Sequence, residues 1–175
     1  TMKEPITEMV REAPGGLVQV RAHCADGKAQ RIEVENLPSF VGLQNVPLEI
    51  ENEGTIFVDT AFGGDSFVII DPASLGLSLN LDEAQALSEL GVKITNAANA
   101  QLRFIHPSRP EWRHHSFCLF AGELKRDAKG ISAKSIVSIQ PGKLDRSPTG
   151  TAVSARMALL HAKGDDLAGN RTGRP

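Results

Sequence analysis

Asp145 to Gly164 reads DRSPTGTAVSARMALLHAKG, a polar, glycine-bearing turn that runs straight into an apolar stretch. From Ala152 to Ala162 eight of eleven residues are apolar. That predicts a helix from about Thr149 to Lys163 with no broad wet face, its Val153, Met157 and Leu160 packed against a sheet. Ser147, Pro148, Thr149, Gly150 and Thr151 crowd its start. They supply a capping hydroxyl, a proline suited to a first turn and a glycine that lets a ligand approach the backbone. The first turn of any helix carries N–H groups without intrahelical acceptors, so this start is suited to a carboxylate or phosphate. An ordinary capped core helix would show the same residues.

Upstream, the pattern from Ile6 to Ile70 is mostly strand. LVQVRAHC and RIEVEN alternate, and TIFVDTAF and SFVIID are β-branched runs bounded by glycine. Turns are expected at 25–28, at 52–54 and around Gly63-Gly64, the last readable either as a hairpin turn or as a ligand-facing bulge. From Leu81 to Leu102 apolar residues recur at helical spacing, with Asp82 as a cap and Gly91 as a point where the helix could break. PSRPEW reads as a linker. A boundary is therefore expected near 105/106, with part of a first sheet domain and a connecting helix in 1–105. Strands HSFCLFAGEL and ISAKSIVSIQ, the DRSPTGTA stretch and its helix fall in 106–175. The class is α+β, a mixed α/β chain.

The chain has 175 residues and a net charge of −2, with no basic stripe for nucleic acid and no apolar run of membrane-spanning length. No nucleic acid or membrane partner is expected, and the location expected is cytoplasmic. Two distant cysteines, Cys24 and Cys118, give no disulfide framework. His106, His114, His115 and His161 lack metal-ligand spacing, so no metal site is expected. Cys118, between aromatic and aliphatic neighbours on a strand, reads as an inert buried thiol.

DRSPTGTA resembles the second active-site motif of the proline racemase family, which includes hydroxyproline epimerases and trans-3-hydroxy-L-proline dehydratases. EAPGGLVQV, NLPSFV, FVDTAFGGDSFVIID and the His106-Pro107 pair followed by PEW resemble the same family in the same order. The resemblance implies a diaminopimelate-epimerase-like fold, two sheet-rich domains each packed round a central helix, with a small-molecule substrate (hydroxyproline or proline) and no cofactor. A homodimer is one assembly compatible with it. Family racemases carry a cysteine where this chain has Thr149, a departure that resembles the dehydratase branch. A Met-Cys-Gly-His-Gly motif with the first catalytic cysteine would precede Pro5, and nothing in the 175 residues matches it. The chain accordingly reads as an internal fragment that lacks the first motif and helix, ends before the family's last strands, and is expected to be inactive alone.

The resemblance implies Thr149 as the catalytic-position residue and Asp145, Gly150, Thr151 and Ser116 as substrate contacts. Asp145 would accept from the ring nitrogen while the helix start takes the carboxylate. Pairing of Asp145 with Arg146 or Arg156 is the alternative. Ser116 and His115 stand where epimerases carry an Asp-His pair. A threonine hydroxyl cannot act as a base without a strong activator, and the sequence shows none beside Thr149. Dehydration of trans-3-hydroxy-L-proline to Δ1-pyrroline-2-carboxylate by one upstream base is the reading this favours. The alternatives are a hydroxyproline epimerase or proline racemase, and an inactive amino-acid-binding fragment.

Overall fold

A computed structural model describes residues 2–128 and 130–165. The described chain divides between Pro38 and Ser39 into two compact units.

The first unit is a meander of β1 (Ile6–Ala13), β2 (Gly16–Ala25) and β3 (Lys28–Glu35), all antiparallel. The β2–β3 turn has Asp26 and Gly27 both at positive φ, 52° and 71°, the two-residue hairpin geometry that suits the strand twist. Period-two alternation puts Glu8, Arg21 and Glu33 in one cross-strand row, joined by Arg21–Glu8 and Arg21–Glu33 ion pairs. The next row along, on the opposite face, is Met9, Val20 and Val34.

In the second unit a seven-stranded mixed sheet has helices on both faces. Its strands are β4 (Phe40–Val41), β5 (Val46–Ile50), β6 (Gly54–Phe62), β7 (Ser66–Ile70), β8 (Phe117–Ala121), β11 (Ser135–Ile139) and β12 (Lys143–Leu144), and between β8 and β11 lies a small hairpin of β9 (Lys125–Asp127) and β10 (Gly130–Ser132). The order is β12-β11-β8-β7-β6-β4, with β5 also paired to β6. Among the described residues only β7 and β8 run parallel. A parallel pair needs a crossover, and the connection carries α1 (Ala84–Gln101). The boundary expected near 105/106 is thus corrected: β7 and β8 are neighbours in one sheet, so a division there would cut a continuous ladder.

SFVII is buried on every residue, as a strand covered on both faces must be. Its alternation sorts two cores. Val68 and Ile70, with Cys118 and Phe120, meet Leu87, Ile94 and Ala98 of α1. Phe67 and Ile69, with Leu119 and Val137, meet α2 (Gly150–Ala162) through Ala152, Ala155 and Leu159.

Two expectations about α1 change. Asp82 does not cap it: the capping position is Glu83, which makes no side-chain capping bond. Gly91 does not break it: α1 runs unbroken from Ala84 to Gln101, and a Cβ on Gly91 would lie 2.3 Å from the Ser138 side chain. The glycine marks where helix and sheet come closest, and tertiary packing outweighs its propensity cost.

The packing face expected for α2 is also corrected. Val153 and Met157 are 41% and 39% exposed and Leu160 is half-buried, while Ala152, Ala155 and Leu159 lie inside. Gly63 supplies the reason. A Cβ on it would sit 2.2 Å from the Thr151 carbonyl oxygen and 2.3 Å from the Ala155 nitrogen, so the helix backbone rides directly on the β6–β7 turn. Only alanine-sized side chains fit at such a separation, and the larger ones rotate outward. Gly63 therefore answers the choice left open in the sequence as a close-packing glycine.

PSRPEW is no loose linker. Trp112 is buried, its ring meets Phe62 edge-on at 5.5 Å, and its indole N–H donates to the Ser66 hydroxyl at 3.1 Å. His106 is also buried, edge-on to Phe62 at 4.5 Å. Two prolines shape a turn that delivers aromatic side chains.

Candidate active site

The turn before α2 is built from its own side chains. Asp145 is tied to the sheet by its N–H, which donates to the Val137 carbonyl at 2.9 Å. Its carboxylate then gathers three donors. The Ser147 N–H reaches Oδ1 at 2.8 Å, the Ser147 hydroxyl reaches Oδ2 at 2.9 Å, and the Thr149 hydroxyl reaches Oδ2 at 2.5 Å. The Ser147 hydroxyl oxygen also accepts from the Thr149 N–H at 3.1 Å. The Thr149 hydroxyl, then the Ser147 N–H, hold the Asp145 carboxyl below its ordinary value; burial opposes them, and the Ser147 hydroxyl adds the smallest lowering effect.

Thr149 itself sits in the left-handed region, φ 46° and ψ 74°. A β-branched residue rarely adopts that conformation, and the cost is on the order of 1 kcal/mol or more. Its N–H and hydroxyl bonds hold it there. The capping hydroxyl expected at this start is therefore redirected: Thr149 occupies the capping position without a side-chain capping bond, and Ser147 serves Asp145 instead. The first backbone bond of the helix runs from Val153 N–H to Thr149 carbonyl at 3.0 Å. The amides of Gly150 and Thr151, one exposed and one half-buried, take no acceptor among the described residues. Ser147, Pro148 and Thr149 line a cleft of about 450 Å³ with Lys134, Leu119 and Val153.

A carboxylate thus stands beside Thr149 where the sequence showed no activator. It does not make the hydroxyl a base. An aspartate held below its usual pKa is a weak proton acceptor, and a threonine hydroxyl bonded to it stays protonated. The alternative of Asp145 paired with arginine is not what forms. Arg156 donates to the Lys134 and Gly122 carbonyls and to the Ser135 hydroxyl.

Ser116 lies elsewhere. Its N–H donates to the Ser66 carbonyl at 3.0 Å, and its hydroxyl pairs with that of Ser66 at 3.2 Å, beside the Trp112 indole. The structure brings together Asp145, Thr149, Gly150 and Thr151, and gives Ser116 no bond to any of them. Next to it His115 is 2% exposed, with neither ring nitrogen bonded among the described residues. Its backbone is clamped by Asn99, which accepts from the His115 N–H at 2.7 Å and donates to its carbonyl at 2.8 Å. Burial, and secondarily His114, lower the His115 pKa to about 4. Cys118 is wholly buried and its thiol is pushed far up by desolvation, as an inert core thiol should be. Among the described residues no cluster of three or more His, Cys, Asp or Glu could hold a metal, and no helix is long and apolar enough to cross a membrane.

Ser147 is expected from the sequence only as a capping hydroxyl, whereas the structure bonds it to Asp145. A serine two residues after an aspartate is the spacing of a side-chain-closed turn, a signal present in DRS.

Fold and site together define an α+β protein that presents open helix amides beside an ionised carboxylate. Residues 1–173 match the proline racemase family, and the chain belongs to that family. A hydroxyproline epimerase from Agrobacterium vitis, solved with bound trans-4-hydroxy-L-proline, is 32% identical and superposes with a TM-score of 0.82 over 94% of this chain. A probable proline racemase from Agrobacterium radiobacter K84, solved with bound carbonate, is 31% identical with a TM-score of 0.83 over 99% of this chain. The chain spans about half the length of these two proteins, 46% and 49%.

Proposed function

We propose that this chain supplies the α2 half of an amino-acid site in a proline racemase-family enzyme, and that the reaction is dehydration of trans-3-hydroxy-L-proline to Δ1-pyrroline-2-carboxylate. The observation that carries it is the 2.5 Å bond from the Thr149 hydroxyl to an Asp145 carboxylate of lowered pKa. Where family racemases have an ionisable thiol, this site has a hydroxyl that keeps its proton. Two-base inversion of an α-carbon needs a base on each ring face, so one face is left without one.

One base suffices for the elimination. In trans-3-hydroxy-L-proline the hydroxyl and the α-hydrogen share a ring face. A base from the family's first motif, a segment these 175 residues do not contain, removes the α-proton. The C–H electrons form the C2–C3 double bond, the C3–O bond breaks, and the hydroxyl leaves as water on accepting that proton. The enamine then tautomerises to the cyclic imine. In this reading the Gly150 and Thr151 amides hold the substrate carboxylate as negative charge grows on it, and Asp145 accepts from the ring nitrogen. The substrate is a free amino acid and the reaction uses no cofactor.

The second reading, epimerisation of hydroxyproline or racemisation of proline, has the more direct support from the solved relatives, one of which holds trans-4-hydroxy-L-proline. Incubation of the intact protein with trans-3-hydroxy-L-proline, trans-4-hydroxy-L-proline and L-proline in heavy water, followed by proton NMR and chiral analysis, separates the two. Imine acid from the first substrate, with no inversion of the others, is expected. Inversion of trans-4-hydroxy-L-proline without dehydration of the 3-isomer would replace the dehydratase reading with the epimerase one.

A further inference from the structure

We infer that Ser147 is a positioning residue of this site: its hydroxyl fixes both the Asp145 carboxylate and the left-handed backbone of Thr149, so that Thr149 faces its ligand only as a hydrogen-bond acceptor. The inference rests on the reading of α2 as an amino-acid site and deepens it.

The bonds around Ser147 close a ring. Its oxygen accepts from the Thr149 N–H, its proton goes to Asp145 Oδ2, and its own N–H goes to Oδ1. Pro148, between them, has no N–H to compete. Ser147 thus bonds the Asp145 carboxylate and the Thr149 backbone at once, beside the direct bond from the Thr149 hydroxyl to Asp145. Without its hydroxyl, Thr149 loses an anchor of a strained backbone and Asp145 loses a donor.

Proton counting gives the consequence for ligands. A carboxylate offers about four lone-pair positions. Two on Oδ2 are taken by the Ser147 and Thr149 hydroxyls and one on Oδ1 by the Ser147 N–H, which leaves one on Oδ1. The single Thr149 hydroxyl proton is committed to Asp145, so its oxygen shows a ligand lone pairs alone. The turn is therefore preset for a group rich in donors, a secondary ammonium, rather than for a second anion. Arg146 is next in the chain and Lys134 lines the cleft beside Ser147 and Thr149, and among the described residues neither they nor Arg156 forms an ion pair with Asp145. Its carboxylate is kept ionised by hydroxyl and amide donors, the Thr149 hydroxyl first among them.

The test uses the intact protein and two readouts. Carbon NMR follows the Asp145 side-chain titration without ligand, and calorimetry measures binding of L-proline against pH. Ser147→Ala should raise the Asp145 pKa, move the acid limit of binding to higher pH and weaken binding about tenfold, the loss of one hydrogen bond to a charged group. The Ser147→Thr and Ser147→Val pair, equal in size, isolates the hydroxyl if the alanine variant fails to fold. Threonine should behave as wild type and valine as alanine. An Asp145 titration unchanged in Ser147→Val, or equal affinities in the threonine and valine variants, overturns the inference. Wild-type protein that binds no L-proline would instead sink the amino-acid-site reading, while the ligand-free titration would still decide what Ser147 does.

Discussion

The two helices of the second unit flank one sheet, yet they obey different rules. α1 is the less apolar of the two in sequence and buries Leu87, Ile94 and Ala98 among large side chains. α2 is the more apolar and buries only Ala152, Ala155 and Leu159, leaving Val153 and Met157 well exposed. Composition therefore says little about which face goes inside. Backbone approach decides it: Gly91 brings α1 against Ser138 and Phe120 over its middle, whereas Gly63 brings the first turns of α2 onto the sheet, where the site is. The helix behind the candidate site is seated by its start, and α1 by its length.

Truncations should separate the two most sharply. Ile94→Ala removes a fully buried side chain from the α1 core and should cost about 3 kcal/mol in denaturant unfolding. Met157→Ala, on the exposed side of α2, should cost under about 1 kcal/mol. Equal losses would mean that α2 is as deeply seated as α1. Gly63→Ala falls between them, at about 2 kcal/mol from overpacking. It should also displace the α2 start, with loss of ligand binding out of proportion to the loss of stability.

A separate effect belongs to pH. The folded His115 pKa of about 4 lies below the ordinary 6.5, so between those values the unfolded chain binds the proton that the folded chain refuses. Stability should fall as pH drops from 6.5 towards 4, by at most about 1.4 kcal/mol per pH unit. His115→Phe should reduce that slope, to which the buried His106 also contributes, and match or exceed wild-type stability at neutral pH, since two unbonded buried nitrogens disappear. A slope unchanged in the phenylalanine variant would place the titration on another group.

The sequence carried the strand-rich character of 6–70, the SFVIID and FCLF runs, both helices and the DRSPTGTA turn, because period-two runs, helical spacing and motif residues are local signals; the β9–β10 hairpin read as a loop. What it could not carry was set by distance. The β7–β8 pairing joins residues fifty positions apart, so the PSRPEW stretch read as a linker although Trp112 and His106 pack on Phe62. The face of α2 depends on Gly63, far away in the chain, and came out one or two residues off. At the site, Asp145, Thr149, Gly150 and Thr151 were legible as a contiguous motif. The Ser147 bonds were overlooked although their spacing was local, and the attachment of Ser116 to Ser66 is tertiary and left no trace in the sequence.

The central claim is that Thr149 keeps its proton and so leaves one ring face without a base. Thr149→Cys in the intact protein tests it most directly, because it restores an ionisable thiol at that position. Helix amides at Gly150 and Thr151 offer the thiolate some stabilisation. Proton NMR in heavy water with chiral analysis should then show exchange and inversion of the α-hydrogen of L-proline by the cysteine variant and none by wild type. Inversion of L-proline by wild type would contradict the account.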